Sequence, residues 1–392
     1  MMLLSKQIIA RRILVLLVIA APLLAACSND KAIEPPAKLV DIKPTLKVNQ
    51  VWSESMGSGR GAKRLLLALQ PAVMNGVAYA AGHTGKVEAL SADKGKLLWL
   101  TKTKLSLSAG PAVADGLVVV GSSDGQLVVL DAATGHEKWR QQISGEILAK
   151  PLITQGLIIV RTVNGRVQAF NEADATSRWV IEESVPKLTL RGTAAPVLAG
   201  SAVITGFDNG KLVAVDAATG DAMWNVTIDT PSGRTELDRL GDVDATAIAS
   251  GHDVFVVGYQ GRIAMVEQTS GQIWWTQDAS SYRGFGLDDD SLYLSAANGM
   301  VTAMRRTTGA QQWEQKSLRQ RGLTAPGVIG NVLVIGDFEG YVHWLDKSSG
   351  VVAARVSTDG ERISNAPVIA DGRVFVQTDG GKVIAFETKP IG

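Results

Sequence analysis

Residues 125–139 read GQLVVLDAATGHEKW, and residues 210–224 read GKLVAVDAATGDAMW. In both, a glycine stands fourteen residues before a tryptophan and a second glycine four before it. The longer spacing also joins Gly85 to Trp99, Gly165 to Trp179, Gly261 to Trp275 and Gly299 to Trp313. The nearer glycine recurs at Gly95, Gly271 and Gly309, with Ala175 the exception, and a proline lies twenty-eight before the tryptophan at Pro71, Pro111, Pro151 and Pro196. The frame continues through Pro326, Gly340 and Gly350, where Ala354 takes the tryptophan position, and then through Pro367 and Gly381. Eight units of about forty residues are marked in this way, and a period of that size is the sign of a solenoid, propeller or array.

Inside a unit the pattern is all β. Residues 111–113, 117–121, 126–130 and 137–141 are short apolar-rich runs separated by Asp115-Gly116, Asp124-Gly125 and Thr134-Gly135. Asp-Gly or Asn-Gly between such runs favours a type I′ hairpin, because both central residues need positive φ. Asn164-Gly165, Asn209-Gly210 and Asn298-Gly299 repeat the choice. Four strands per forty residues make a propeller blade. The predicted fold is therefore an all-β, eight-bladed β-propeller of four-stranded antiparallel blades. The eighth unit lacks a last strand, while residues 48–53 carry Trp52 in a strand-like run with no unit of its own. Pairing that N-terminal strand into the eighth blade closes the ring and removes edges open to other chains. One tryptophan at the same place in each outermost strand is expected to pack on the next blade, where burying the ring contributes roughly 1.5–3 kcal/mol or more.

Ahead of the repeats, Lys6, Arg11 and Arg12 precede the apolar run 13–26, too short for the roughly 20 residues of a spanning helix. The run ends in Leu24-Ala25-Ala26-Cys27, similar to a bacterial lipobox, so residues 1–26 are expected to be a signal peptide and Cys27 the lipidated residue. Cys27 is the only cysteine, which excludes a disulfide within one chain. Ser28 rather than Asp follows it, as in lipoproteins passed on to the outer membrane. Residues 27–47 carry Pro35, Pro36 and Pro44 with no sustained period and are expected to form a flexible tether, leaving 48–392 for the propeller.

Removing residues 1–26 takes away Lys6, Arg11 and Arg12 and no acid, so 39 cations against 38 anions become 36 against 38. A body so close to neutral lacks the basic face that a nucleic-acid partner needs. The four histidines, His83, His136, His252 and His343, show no metal-ligand spacing and read as turn or surface residues. No phosphate-binding loop occurs. No catalytic, cofactor-binding or metal-binding residue is assigned.

The strings 129–135 and 214–220, each running up to its tryptophan, resemble the tryptophan-docking repeat of pyrroloquinoline-quinone dehydrogenases. Those eight-bladed enzymes hold the quinone and a calcium ion in the central funnel, with a catalytic aspartate and commonly a disulfide of neighbouring cysteines. Here the one cysteine is assigned to lipid, the length leaves no room for the enzymes' large insertions, and fold does not carry activity. A lipobox followed by this propeller resembles, over essentially the whole mature chain, the propeller lipoproteins of the outer-membrane β-barrel assembly machinery. That resemblance implies a non-enzymatic scaffold without cofactor, lipid-anchored to the outer membrane and facing the periplasm. Its implied partner is a periplasmic domain of the main barrel-inserting subunit, with unfolded outer-membrane proteins as further clients.

Two connections depart from the repeat. The step from tryptophan to proline is twelve residues from Trp99 to Pro111 and from Trp139 to Pro151, but seventeen from Trp179 to Pro196 and twenty-three from Trp224 to Ala247, in the proline position. Alternation in an extended chain puts Leu188 and Leu190 on one side of the first, and Asp242 and Asp244 on one side of the second. Taken on residues alone, these are ordinary loops or sites presented by a rigid scaffold. In the assembly-machinery family the two loops contact the barrel-inserting subunit, so the resemblance implies Leu188, Leu190, Arg191, Asp242 and Asp244 as partner-binding residues. Two alternatives stay open. A quinone-dependent periplasmic dehydrogenase requires calcium ligands and a catalytic acid in the funnel, and a cell-wall carbohydrate-binding propeller requires exposed aromatics.

Overall fold

A computed structural model describes residues 34–57, 67–186, 188–189, 194–229 and 241–390. Every regular element among them is a strand, and the strands form eight four-stranded antiparallel blades, with the short strand Ala68–Leu69 added parallel to Ala109 and Gly110 at the inner edge of blade 2. Blade 1 runs from Ala72–Met74 through Val77–Ala81 and Lys86–Ser91 to Leu97–Lys102. Blades 2 to 7 repeat that order and end at Glu137–Gln142, Ser177–Glu182, Ala222–Thr227, Ile273–Ala279, Gln311–Gln315 and Val352–Ser357. Blade 8 takes Val368–Ala370, Arg373–Gln377 and Lys382–Pro390 from one end of the chain and Leu46–Ser55 from the other. This closing strand pairs from Leu46 opposite Pro390 to Ser55 opposite Lys382, with a bulge between Gln50 and Trp52, so it is longer than residues 48–53.

The core lies between blades. Ile204 and Leu212 of blade 4 pack with Val254 and Val256 of blade 5, and Trp52 and Phe375 of blade 8 pack with Ala80 and Leu90 of blade 1. Each repeat tryptophan also donates its indole N–H to the following blade. Trp52 reaches Ala92 O at 3.0 Å, Trp99 reaches Ala132 O at 2.9 Å, Trp179 reaches Ala217 O at 3.0 Å, and Trp313 reaches Lys347 O at 3.0 Å. The glycine four before the next tryptophan lies under that ring: a Cβ on Gly135 would stand 2.4 Å from Trp99, and one on Gly350 2.6 Å from Trp313. The two signature positions are thus the two halves of one inter-blade contact. Where Ala354 replaces tryptophan in blade 7, no ring needs seating on blade 8, and Val48 stands four before Trp52. Trp344, in the third strand of blade 7, fills the gap instead, edge-on to Phe386 at 5.6 Å.

One turn assignment needs correcting. Between first and second strands, Asp115 and Gly116 both have positive φ, 51° and 75°, as a type I′ turn requires. Between second and third strands only the glycine does: Gly125, Gly165, Gly210 and Gly299 are left-handed, while Asp124, Asn164, Asn209 and Asn298 are not. The Gly125 amide donates to Ser122 O at 3.1 Å, which makes a type I turn closed by a left-handed glycine. Asx-Gly serves both loops, so the dipeptide alone cannot separate them.

Antiparallel order gives the ring two faces. First-to-second and third-to-fourth turns open on one; second-to-third turns and the connections between blades open on the other, here the loop face.

Candidate partner-binding face

Both long connections leave their outermost strands, Ser177–Glu182 and Ala222–Thr227, at the loop face. Leu188 is exposed, at 41%. Leu190 and Arg191 lie outside the described residues, as does Cys27. The first connection is anchored where it departs: the Glu183 carboxylate accepts from Asn209 Nδ2 at 3.0 Å and pairs with Lys211 at 3.3 Å. Where it returns, the Ala195 amide donates to Thr246 Oγ1 at 3.0 Å, which ties the two connections together at their inner ends.

The second connection is pinned to the core by Val243, which is buried and whose amide donates to Phe207 O at 3.2 Å. A Cβ on Gly206 would meet Val243 at 2.4 Å, so a bare backbone is needed there. Asp242 and Asp244 are interior, at 1% and 3% exposed, and near enough for the Asp242 charge to act on the Asp244 carboxyl. Alternation says that two side chains share a side and is silent on which side meets water. Beside them Arg161 donates to Asp208 at 3.0 Å, both buried, with its guanidinium 5.3 Å from the Phe207 ring centre. Burial first, and then the charge of Asp208, push the Asp244 carboxyl well above the ordinary carboxylate range, against the pull of Arg161. These acids therefore form a buried polar base beneath the connections rather than their outer surface.

The ring encloses a channel whose two parts, about 480 and about 490 Å³, share Gln70, Lys150, Pro151 and Leu152. Its polar side chains largely bridge blades, with Gln70 Nε2 donating to Ala366 O at 2.8 Å and Arg283 Nη1 to Ser364 O at 2.9 Å. Burial lowers the Lys150 ammonium pKa. Among the described residues, no group of three or more His, Cys, Asp or Glu could hold a metal ion. The docked tryptophans point their N–H groups into neighbouring blades and offer no stacking row for a sugar.

Sequence reasoning missed a second buried charged group, in blade 7. His343, read as a turn or surface residue, is fully buried, with Nε2 3.0 Å from Asp337 Oδ2. Its place in the middle of the strand Tyr341–Asp346, on the inward side, was the available signal.

Fold and repeat together define a closed eight-bladed propeller of tryptophan-docked repeats, a body built to present loops. The family described as "Outer membrane protein assembly factor BamB" matches residues 83–315 and 297–390. The protein of that name from Pseudomonas aeruginosa is 43% identical over 371 residues, covering 95% of this chain and 97% of the relative. The crystal structure of BamB from Moraxella catarrhalis superposes with a TM-score of 0.79 at 28% identity, over 87% of this chain and all of that one. The chain belongs to the BamB family of outer membrane protein assembly factors. A europium-containing methanol dehydrogenase also superposes, with a TM-score of 0.70 over 87% of this chain and 93% of its own, but at 14% identity this likeness is one of fold alone.

Proposed function

We propose that this chain is a non-enzymatic scaffold of the outer-membrane protein assembly machinery, lipidated at Cys27 and facing the periplasm. On its loop face it holds a periplasmic domain of the main barrel-inserting subunit. Leu188, Leu190 and Arg191 make the contact, and Asp242 and Asp244 support it from below through the buried polar base that they share with Asp208 and Arg161. Unfolded outer-membrane proteins are clients of the assembled machinery. The observation that carries this reading is near full-length membership of a family whose members are named as outer membrane protein assembly factors. An exposed leucine beside charge on a rigid rim suits a modest and specific interface.

The test is co-purification with the barrel-inserting subunit. Arg191→Glu should abolish capture, at a cost of roughly 2–5 kcal/mol where the charge is desolvated by the partner. Leu190→Asp should act alike by placing a carboxylate in an apolar pocket. Reversing Asp289, in an exposed turn on the opposite face, should change little. All three variants should melt like the parent. Retained capture by both loop variants would move the interface elsewhere.

A further inference from the structure

The stretch that leads into the closing strand is docked along its second half, although the sequence suggests slack to residue 47. The Ala37 amide donates to Arg319 O at 2.9 Å and the Thr45 amide to Ala353 O at 2.9 Å. Between them, Arg321 Nη1 donates to Ala37 O at 3.1 Å and Arg355 Nη1 to Val40 O at 3.0 Å. Leu39 packs against the core cluster that includes Leu318, Leu323 and Leu333. Arg319 and Arg321 lie in the connection entering blade 7, at the loop face, whereas Ala353 begins that blade's outermost strand at the opposite face. Residues 37–45 therefore run down the outside of blade 7 from the loop face to the opposite face, where Leu46 starts the closing strand.

Both guanidinium groups are locked from within the blade. Asp337 Oδ2 accepts from Arg321 Nε at 2.8 Å and from His343 Nε2 at 3.0 Å, and Arg355 Nε donates to His343 Nδ1 at 3.3 Å. Arg321 also lies over Phe338 at 5.2 Å. Hydrogen bonds thus run unbroken from Ala37 O through Arg321, Asp337, His343 and Arg355 to Val40 O. A slack linker has no use for two arginines, held from within blade 7, aimed at its carbonyls.

We propose that residues 36–45 are a strap that fixes where the lipid anchor leaves the propeller: at the loop face beside blade 7, across the ring from the connections that follow blades 3 and 4. The inference rests on the reading of Cys27 as the lipidated residue. Residues 28–35 remain between anchor and strap, and eight residues span at most about 28 Å. The outermost strand of blade 7 alone, Val352–Ser357, is about 20 Å long, so a return to the opposite face would use most of that reach. The loop face then looks toward the membrane, and a partner held on it sits between propeller and lipid.

The experiment uses the lipidated full chain in phosphatidylcholine vesicles with no partner protein. Because the only native cysteine is Cys27, a cysteine introduced at Asp124 or at Ala133, exposed on opposite faces of blade 2, accepts a single fluorophore. Energy transfer to a headgroup acceptor should be higher from Asp124→Cys than from Ala133→Cys. Ala37→Pro with Thr45→Pro removes two strap donors without touching blade 7, and should abolish the difference. In the parent, the Ala37 and Thr45 amides should exchange with solvent at least about tenfold more slowly than in a free peptide. Equal transfer from both sites, a difference that survives the proline pair, or free-peptide exchange in the parent would overturn the strap. A parent chain whose mass shows no diacylglycerol would instead refute the anchor in the proposed function, and amide exchange would still decide whether the strap is docked.

Discussion

Gly135 shows how much of the repeat is written in single residues. It needs a positive φ of 72°, and any Cβ would press on the Trp99 ring. Gly135→Ala should therefore cost about 2–4 kcal/mol, combining backbone strain with overpacking, whereas Gly116→Ala, with nothing within 4 Å, should cost about 1 kcal/mol. Urea unfolding of the two variants checks the difference. His343 carries a second prediction. Arginine can only donate, so Nδ1 accepts from Arg355 and Nε2 bears the proton shared with Asp337. Burial first lowers the histidine pKa below 6.5, with Asp337 opposing and Arg355 and Arg321 adding to the fall. The neutral ring's contribution is thus complete above pH 6.5 and lost as pH falls below it, since the unfolded chain then binds the extra proton. Glu339, Tyr341 and Asp41 are the other titratable neighbours of this group. Between pH 6.5 and 5, the parent should lose more stability than His343→Gln; equal loss would place the titration elsewhere. Trp99 and Gly135 were legible because the same pair recurs around the ring. Trp344 and His343 were not, because they occur once and outside the shared frame.

Among elements, the closing strand was readable from what was missing: one tryptophan without a unit and one unit without a strand. Its removal is the third prediction. A chain beginning at Met56 bares the edge of Lys382–Pro390 and loses the packing of Trp52 on Phe375, whose ring centres lie 5.9 Å apart. Such a chain should associate through that edge, giving concentration-dependent sedimentation, while the parent sediments independently of concentration. The strap was not readable, because its docking uses backbone amides and carbonyls that any residue supplies. Turn type was half readable, since Asx-Gly fits both hairpin forms. The burial of Asp242 and Asp244 was not readable, because alternation does not say which side meets water and the connection is pinned to the core through Val243, a tertiary decision.

The whole molecule is a ring whose energy lies between blades and whose connections are free to vary, which is why one fold serves both dehydrogenases and assembly factors. Lengthening two neighbouring connections leaves the inter-blade contacts intact, so a binding face can be added at little cost to the ring. The strap and those connections share the loop face, so the proposed anchoring and the proposed partner capture are linked through geometry alone. In the proposed function the loop face of blades 3 to 5 holds the barrel-inserting subunit. This contact is tested most directly by placing a photo-crosslinking residue at Leu188 or at Asp289 in the full chain, irradiating intact envelopes and identifying the adducts by mass spectrometry. Position 188 should give an adduct with the periplasmic domain of the barrel-inserting subunit and position 289 none; the reverse pattern, or no adduct with that subunit from position 188, would place the contact elsewhere.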